Sequence, residues 1–388
     1  MDQKKIRVCE IIECGGNGGA GAVVADICQS LDLERFEIIL IYNVRPGSRA
    51  EDYENLFPAS VKKIRVLNFV REIRPWADGR AFFEVLRILF REKPDVLHCH
   101  SSKAGFIGRL AAFWARSPRV YYSPHGYGFM RQDVSLFTRS LYWILEWGVS
   151  WIGEIAAVSP SEALAAKKLS WGKAVQLLNN PVQPELLEMK NDSGVGDGAL
   201  EILSVGRLTP QKNPEAFVRL AAALAPEFPN ARFAWIGGGE LEDELKRLAQ
   251  QISAPVEWLG WRSHEEVISR LLVSSFMIQS SLWEGLPLTV LEAQALGKPV
   301  VAMDIPGNND VVENEKTGFL VSGFSDLCQK ARVLLLDRNL RERMGLAARQ
   351  RARNHFSKAV WTAQLESLYG NRIALAPKNA PEKGSGIT

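Results

Sequence analysis

The sequence predicts an α/β protein of two doubly wound, parallel-sheet (Rossmann-like) domains facing each other across a cleft. Three observations carry this expectation. Short apolar runs alternate with helical periodicity from residue 6 to residue 158, the same alternation restarts at residue 200, and 388 residues exceed the about 100–200 of one ordinary domain. Strands that alternate with amphipathic helices build a mostly parallel sheet covered on both faces.

The first run, 6–12, leads through Cys14 into a glycine-rich loop and then a helix over about 22–31, and 36–42 is the next buried strand, so the chain opens as a βαβ unit. Strand-like runs follow at 61–67, 95–98, 119–123 and 154–158, with helical periodicity over 80–91, 103–115 and 135–151. The first domain is assigned to 1–189. Residues 190–198, polar and rich in glycine, read as a linker. The second domain, 199–356, has strands at 200–205, 232–236, 256–259, 276–278 and 300–301, with helices over 214–225 and 241–251 between them. Residues 357–372 continue as a helix, and 373–388, rich in Pro, Gly, Lys and Ser, read as a disordered tail.

Composition narrows the function classes. A formal net charge of +3 lacks the strong basic excess of a nucleic-acid binder. Five cysteines without Cys-x-x-Cys spacing point to neither a disulfide framework nor a zinc site and fit a reducing, cytoplasmic setting. No apolar run approaches the ~18 residues of a membrane span, and the N-terminus moves into a strand without a leader-like apolar region.

The chemistry concentrates in 279–302. A buried strand ends at Gln279, a loop carries Glu284, Gly285, Leu286 and Pro287, and a helix beginning near Leu288 and Thr289 holds Glu292 before Gly297, Lys298 and Pro299 end it. The helix start offers free N–H groups to a phosphate, and each carboxylate can accept hydrogen bonds from two neighbouring hydroxyls of a sugar. Two glutamates eight apart are otherwise most often a solvated helix face. A second loop, Gly206, Arg207, Leu208, Thr209, Pro210, Gln211, Lys212, follows a strand and precedes a helix, so Arg207 and Lys212 point into the cleft together. In the first domain, Gly16, Gly18, Gly19 and Gly21 approach the dinucleotide-binding pattern, but the second strand ends in Tyr42 and Asn43 where an NAD site needs an acid, and no nicotinamide cofactor is expected. His98 and His100 alternate on a strand and cannot supply a full metal-ligand set.

The spacing Glu284 to Glu292 around Gly285, Leu286 and Pro287, with the Gly206–Arg207 and Lys212 loop, resembles family four of the retaining glycosyltransferases, tightly in the second domain and loosely in the first. The resemblance implies the GT-B arrangement, with the 357–372 helix returning to the first domain. It implies a nucleotide-sugar donor, with UDP the expected nucleotide; no cofactor is expected, and because no Asp-x-Asp stands at a strand end the transfer is expected to be metal-independent. By the same resemblance Glu292 would hold the ribose, Glu284 the sugar, and Arg207 and Lys212 the diphosphate, with Thr289 adding a hydroxyl. Gly18 and Gly19 would floor the cleft, Gly238 would lie in a second glycine turn, and His125 would face the donor sugar. Trp261 would pack on the base or, on an equal footing, in the core. Asp310 stands where the family often has glutamate, and the run His100 to Gly105 resembles members that build bacterial surface polysaccharides. The expected activity is transfer of a hexose or N-acetylhexosamine to a lipid-linked glycan. A UDP-sugar 2-epimerase on the same fold and an inactive nucleotide- or glycan-binding partner subunit are the alternatives.

Residues 61–93 carry nine basic and four acidic side chains, a local +5, interleaved with Phe69, Trp76, Phe82 and Phe83. Trp143, Trp147 and Trp151 form a stripe on one helix, readable as core or as a membrane-facing surface. The membrane reading expects a peripheral protein on the anionic inner face of the cytoplasmic membrane.

Overall fold

A computed structural model describes residues 4–16, 18–45, 48–70, 73–189 and 200–370. The linker at 190–198, the tail at 373–388 and Asn17 of the glycine loop lie outside the described residues.

The first sheet contains β1 (Ile6–Gly15), β2 (Phe36–Val44), β3 (Lys62–Arg65), β4 (Val96–His100), β5 (Val120–Ser123), β6 (Glu154–Ala157) and β7 (Val175–Leu177), in the order β3-β2-β1-β4-β5-β6-β7. The second contains β8 (Leu200–Val205), β9 (Ala231–Ile236), β10 (Val256–Gly260), β11 (Phe276–Gln279), β12 (Val300–Met303) and β13 (Gly318–Val321), in the order β10-β9-β8-β11-β12-β13. Every pairing between these strands is parallel. Two doubly wound domains are thus the architecture. The winding reverses between β1 and β4 and again between β8 and β11, and such reversals open a crevice at the carboxyl ends of the strands.

Alternation along β1 sorts its side chains onto two buried faces. Val8 and Ile12 pack with Val23, Val24 and Ile27 of the helix Gly19–Ser30, whereas Cys9 and Ile11 pack with Val85, Leu89, Ile107 and Ala111 from the helices Pro75–Glu92 and Ser102–Ala115. Both faces are covered, which is why the run reads as nearly continuous apolar sequence. The helix after β1 begins three residues earlier than its sequence periodicity predicts. Glycine is a poor helix former, but a Cβ at Gly21 would stand 2.7 Å from the Gly16 carbonyl oxygen, so the tight first turn requires it.

The chain crosses between the domains twice. Leu186 and Leu187 of the short helix Pro184–Glu188 pack into the second domain's core, where Arg349 Nε donates to the Leu187 carbonyl (3.1 Å). The last helix, Lys358–Gly370, buries Trp361, Leu365 and Tyr369 in the first.

Trp143, Trp147 and Trp151 are 40 %, 40 % and 42 % exposed, so the core reading of that stripe is overturned. Trp147 stacks on Trp171 with centroids 4.6 Å apart and Trp151 meets Phe113 edge-on, so the rings cover one another on the surface. Trp76 and Phe83 stand far out, but Phe69 is fully buried and does not belong to that surface. Within the local +5, the mostly buried Glu92 holds two of the cations, Lys62 (2.7 Å) and Arg91 (2.6 Å), in ion pairs. Among the described residues no helix is long and apolar enough to cross a membrane.

Candidate functional site

The two sheet reversals face each other, and the space between them is a cleft of about 1520 Å³. Gly18, Gly19 and His125 line it from the first domain; Gly206, Arg207, Lys212, Trp261, Glu284, Gly285, Leu286, Pro287, Leu288, Thr289 and Glu292 line it from the second. Of the residues assigned from the sequence to the donor site, Gly238 alone is not on the wall. It lies beneath Trp261, whose Nε1 would stand 2.7 Å from a Cβ there. The indole is 56 % exposed and part of the wall, which removes the core alternative for Trp261.

The second domain's half is built on β8 and β11. Where β8 ends, Gly206 turns the chain into the Arg207 loop; where β11 ends, Ser280 and Ser281 lead to Glu284. The two loops are tied together. Gln211 Nε2 donates to the Trp283 carbonyl (3.0 Å), the Leu282 amide to the Gln211 carbonyl (2.8 Å), and Ser280 Oγ to the Lys212 carbonyl (2.8 Å). Within this frame Lys212 Nζ reaches Glu284 Oε1 at 2.5 Å, and Gln279 Nε2 donates to the same oxygen at 3.0 Å. Arg207 Nη2 reaches Gln211 Oε1 at 3.5 Å.

The helix Leu288–Ala295 starts on the cleft wall without a side-chain cap, which leaves its first N–H groups without a side-chain acceptor, and the buried Thr289 Oγ1 has no hydrogen-bond partner among the described residues. An uncapped helix start with a spare hydroxyl is a place for an anion. One turn along, Glu292 Oε1 meets His264 Nε2 at 2.9 Å, and this hydrogen bond raises the His264 pKa above its ordinary value.

The domains touch through backbone. A Cβ at Gly285 would stand 2.6 Å from the His125 carbonyl carbon, and only glycine lets the Glu284 loop approach the His125–Gly126 turn this closely. His125 itself takes a left-handed φ of 53°, a conformation that a non-glycine residue adopts at some cost. The turn is held by Glu162, which accepts from the Gly126 amide (2.7 Å) and the Val158 amide (2.9 Å) and whose pKa burial pushes up to about 7. Asp310 spans the gap. Its carboxylate accepts from the Ser161 amide (3.1 Å) and Ser161 Oγ (3.1 Å) of the first domain and from the Gly307 amide (3.1 Å) of its own.

Sequence reasoning missed the roles of His264, Gln279 and Glu162. The His264–Glu292 pair has no local signature, because its members lie 28 residues apart; Glu162 has a local one in the Ser159 cap at its helix start and the Val158 amide four residues back, but its Gly126 partner lies 36 residues away.

Known proteins place this arrangement. A family model described as Glycosyltransferase Family 4 matches residues 17–186, and one described as Glycosyl transferases group 1 matches residues 187–351, so the two adjoin along nearly the whole chain. Sucrose-phosphate synthase from Thermosynechococcus elongatus superposes with a TM-score of 0.78 at 18 % identity, covering 94 % of this chain and 98 % of its own. The Anabaena protein HepE, crystallised with UDP and glucose, gives 0.76 at 17 %, covering 94 % and 100 %. These likenesses define the fold as GT-B. The UDP-Gal:alpha-D-GlcNAc-diphosphoundecaprenol alpha-1,3-galactosyltransferase of Escherichia coli is 29 % identical over 355 residues, 87 % of this chain and 89 % of that one. The chain belongs to family four of the glycosyltransferases.

Proposed function

We propose that this glycosyltransferase moves a hexose or N-acetylhexosamine from a UDP-sugar, with retention of configuration, to a lipid-linked glycan during cell-surface polysaccharide assembly. One observation carries the donor half: the uncapped start of the helix Leu288–Ala295, with partnerless Thr289 Oγ1, opens onto the same cleft as Arg207, the Lys212–Glu284 pair and Glu292. A diphosphate seated at the helix start takes Lys212 and Arg207 as counter-charges, Glu292 accepts from the two ribose hydroxyls, and Glu284 from the sugar. Trp261 packs on the base.

Departure of the diphosphate is the difficult step, and the two cations stabilise the charge that develops on it. They do the work a divalent metal would otherwise do, so no metal or cofactor is assigned. With both glutamates committed to binding, no carboxylate serves as nucleophile. The acceptor hydroxyl attacks from the face the diphosphate leaves, and the departing phosphate takes its proton.

The lipid-linked acceptor is supported by the name of the Escherichia coli relative and by the exposed aromatics of the first domain, among them Trp76, Phe83, Trp143 and Trp147. Rings at a surface flanked by cations suit the headgroup region of an anionic leaflet, and a protein held there is peripheral on the cytoplasmic face. Incubation with a panel of radiolabelled sugar nucleotides, with and without membrane extract and with EDTA, tests the reading. Label entering the lipid fraction from one UDP-sugar despite the chelator is expected; label in a free epimer, or in nothing, refutes it.

A further inference from the structure

Behind His125, side chains from three strands and the last helix form one chain of hydrogen bonds. Ser123 Oγ donates to the Ala156 carbonyl (2.6 Å), His98 Nε2 meets Ser123 Oγ (2.9 Å), and His98 Nδ1 meets the Tyr369 hydroxyl (2.5 Å). The Tyr369 hydroxyl also meets Glu10 Oε1 (2.9 Å). On the other side of Glu10, Oε2 meets His100 Nε2 (2.7 Å), and His100 Nδ1 meets His125 Nε2 (2.9 Å). Glu10, His98, His100 and Tyr369 are 0 % exposed.

Six contacts need six hydrogens. With Glu10 ionised and each imidazole neutral, the chain owns five: one from each of three histidines, one from Tyr369 and one from Ser123. The Ser123 hydrogen goes to Ala156, so His98 must point Nε2–H at Ser123 and leave Nδ1 bare. The Tyr369 hydrogen then serves His98, and Glu10 Oε1 faces a lone pair unless Glu10 supplies the sixth hydrogen. The other solution, an imidazolium at His98 beside a carboxylate, strips water from two charges at once. Burial argues against it from both ends, pushing Glu10 up to about 7 and His98 well down.

The consequence runs outward. Glu10 Oε2 accepts Nε2–H of His100, whose pKa burial lowers to about 3, so His100 is neutral and its Nδ1 is an acceptor. His125 therefore donates from Nε2. Its Nδ1 is left bare, with no hydrogen-bond partner among the described residues, on a ring that lines the cleft. We propose that Glu10 holds a buried proton and, through His100, fixes His125 in the tautomer whose Nδ1 accepts a hydrogen bond from a substrate hydroxyl. Glu10 and His100 are positioning residues, and Tyr369 links the last helix to them. Ligand atoms of Glu10, His98 and His100 lie within 4.8 Å of one another, as a metal site's would, but each is already hydrogen-bonded in the chain. The identity of the hydroxyl rests on the glycosyltransferase reading; the proton count does not.

The test uses the full chain with its five histidines labelled with ¹⁵N. Long-range proton–nitrogen spectra at neutral pH are expected to show His125 as the neutral Nε2–H tautomer, in wild type and in Glu10→Gln. The glutamine amide keeps the pattern, its oxygen accepting from His100 and its nitrogen donating to Tyr369. Infrared difference spectra of wild type against Glu10→Gln should show the carbonyl band of a protonated carboxyl lost in the variant. Transfer kinetics complete the set: Glu10→Ala lowers kcat on the order of 10- to 100-fold, as outer partners of functional histidines do, while donor KM stays within about twofold. Glu10→Gln recovers kcat to within about threefold, under 1 kcal/mol at 1.36 kcal/mol per tenfold. Should Glu10→Ala not fold, His100→Leu against His100→Asn makes the comparison, since only Asn keeps an acceptor for His125. An Nδ1–H tautomer or imidazolium at His125, no carboxyl band, or equal losses in Ala and Gln would each overturn the proposal. The spectra need no turnover, so failure to find a sugar substrate leaves this test standing.

Discussion

Replacing Lys212 by Ala removes the cation 2.5 Å from Glu284 and leaves a carboxylate whose remaining side-chain hydrogen bond is from Gln279. The two side chains are 16 % and 8 % exposed, so this is a mostly buried pair, and breaking such a pair from one side costs about 3–5 kcal/mol because the survivor is uncompensated. For a cooperative unit of about 150–250 residues each kcal/mol is worth about 2–4 °C, so the transition should fall by roughly 10 °C. Catalysis should suffer separately: loss of one preorganised charge donor costs about 100-fold in turnover, near 2.7 kcal/mol. The double variant Lys212→Met with Glu284→Gln separates the two effects, since it removes both charges, recovers most of the stability and stays inactive. Calorimetry and single-turnover kinetics on the three proteins supply the numbers. Wild-type melting in Lys212→Ala would show that the pair is not held in solution, and wild-type turnover would remove Lys212 from the diphosphate.

Three further outcomes follow from the same geometry. Glu292→Gln should weaken free UDP by about tenfold, through loss of a charge-assisted pair of hydrogen bonds, while Glu284→Gln leaves UDP binding within about twofold and mainly impairs the intact UDP-sugar; titration calorimetry reads both, and equal losses of UDP affinity contradict the assignment. Because Glu292 raises the His264 pKa in the folded state, that histidine adds stability that is full below its unfolded pKa and is lost as pH rises through the folded one. The melting difference between wild type and His264→Ala should accordingly shrink as pH rises above the ordinary histidine value of about 6.5 and through the raised folded one, and a difference that grows reverses the sign. The protein should co-sediment with anionic liposomes less as salt rises, and Trp143→Ser with Trp147→Ser should weaken this further; equal binding to neutral and anionic vesicles would refute the membrane assignment.

The fold was legible because parallel strands buried on both faces leave apolar runs that periodicity detects, as at Ile38 to Ile41 and Phe276 to Ile278. Helix starts were less so: the helix beginning at Gly19 uses glycines that local propensity votes against, and a tertiary contact of Gly21 overrules it. The donor-side residues could be found because they share two short loops. Their pairings could not, since Lys212 and Glu284, or His264 and Glu292, meet only through folding. The tryptophan stripe shows the limit of periodicity, which places Trp143, Trp147 and Trp151 on one helix face without saying what that face meets. Glu10 is the plainest loss. In the sequence it is one acid in an apolar strand, and its burial beside two histidines and Tyr369 exists only once β1, β4 and the last helix are packed together.

The central claim, a nucleotide sugar held at the second domain's loops, is tested most directly by a crystal structure of the protein soaked with UDP. The diphosphate is expected on the first N–H groups of the helix Leu288–Ala295, within reach of Thr289 Oγ1, Arg207 and Lys212, with the ribose hydroxyls on Glu292 in place of His264. UDP seated instead on the glycine loop before the helix Gly19–Ser30, with Lys212 and Glu292 untouched, would contradict the account.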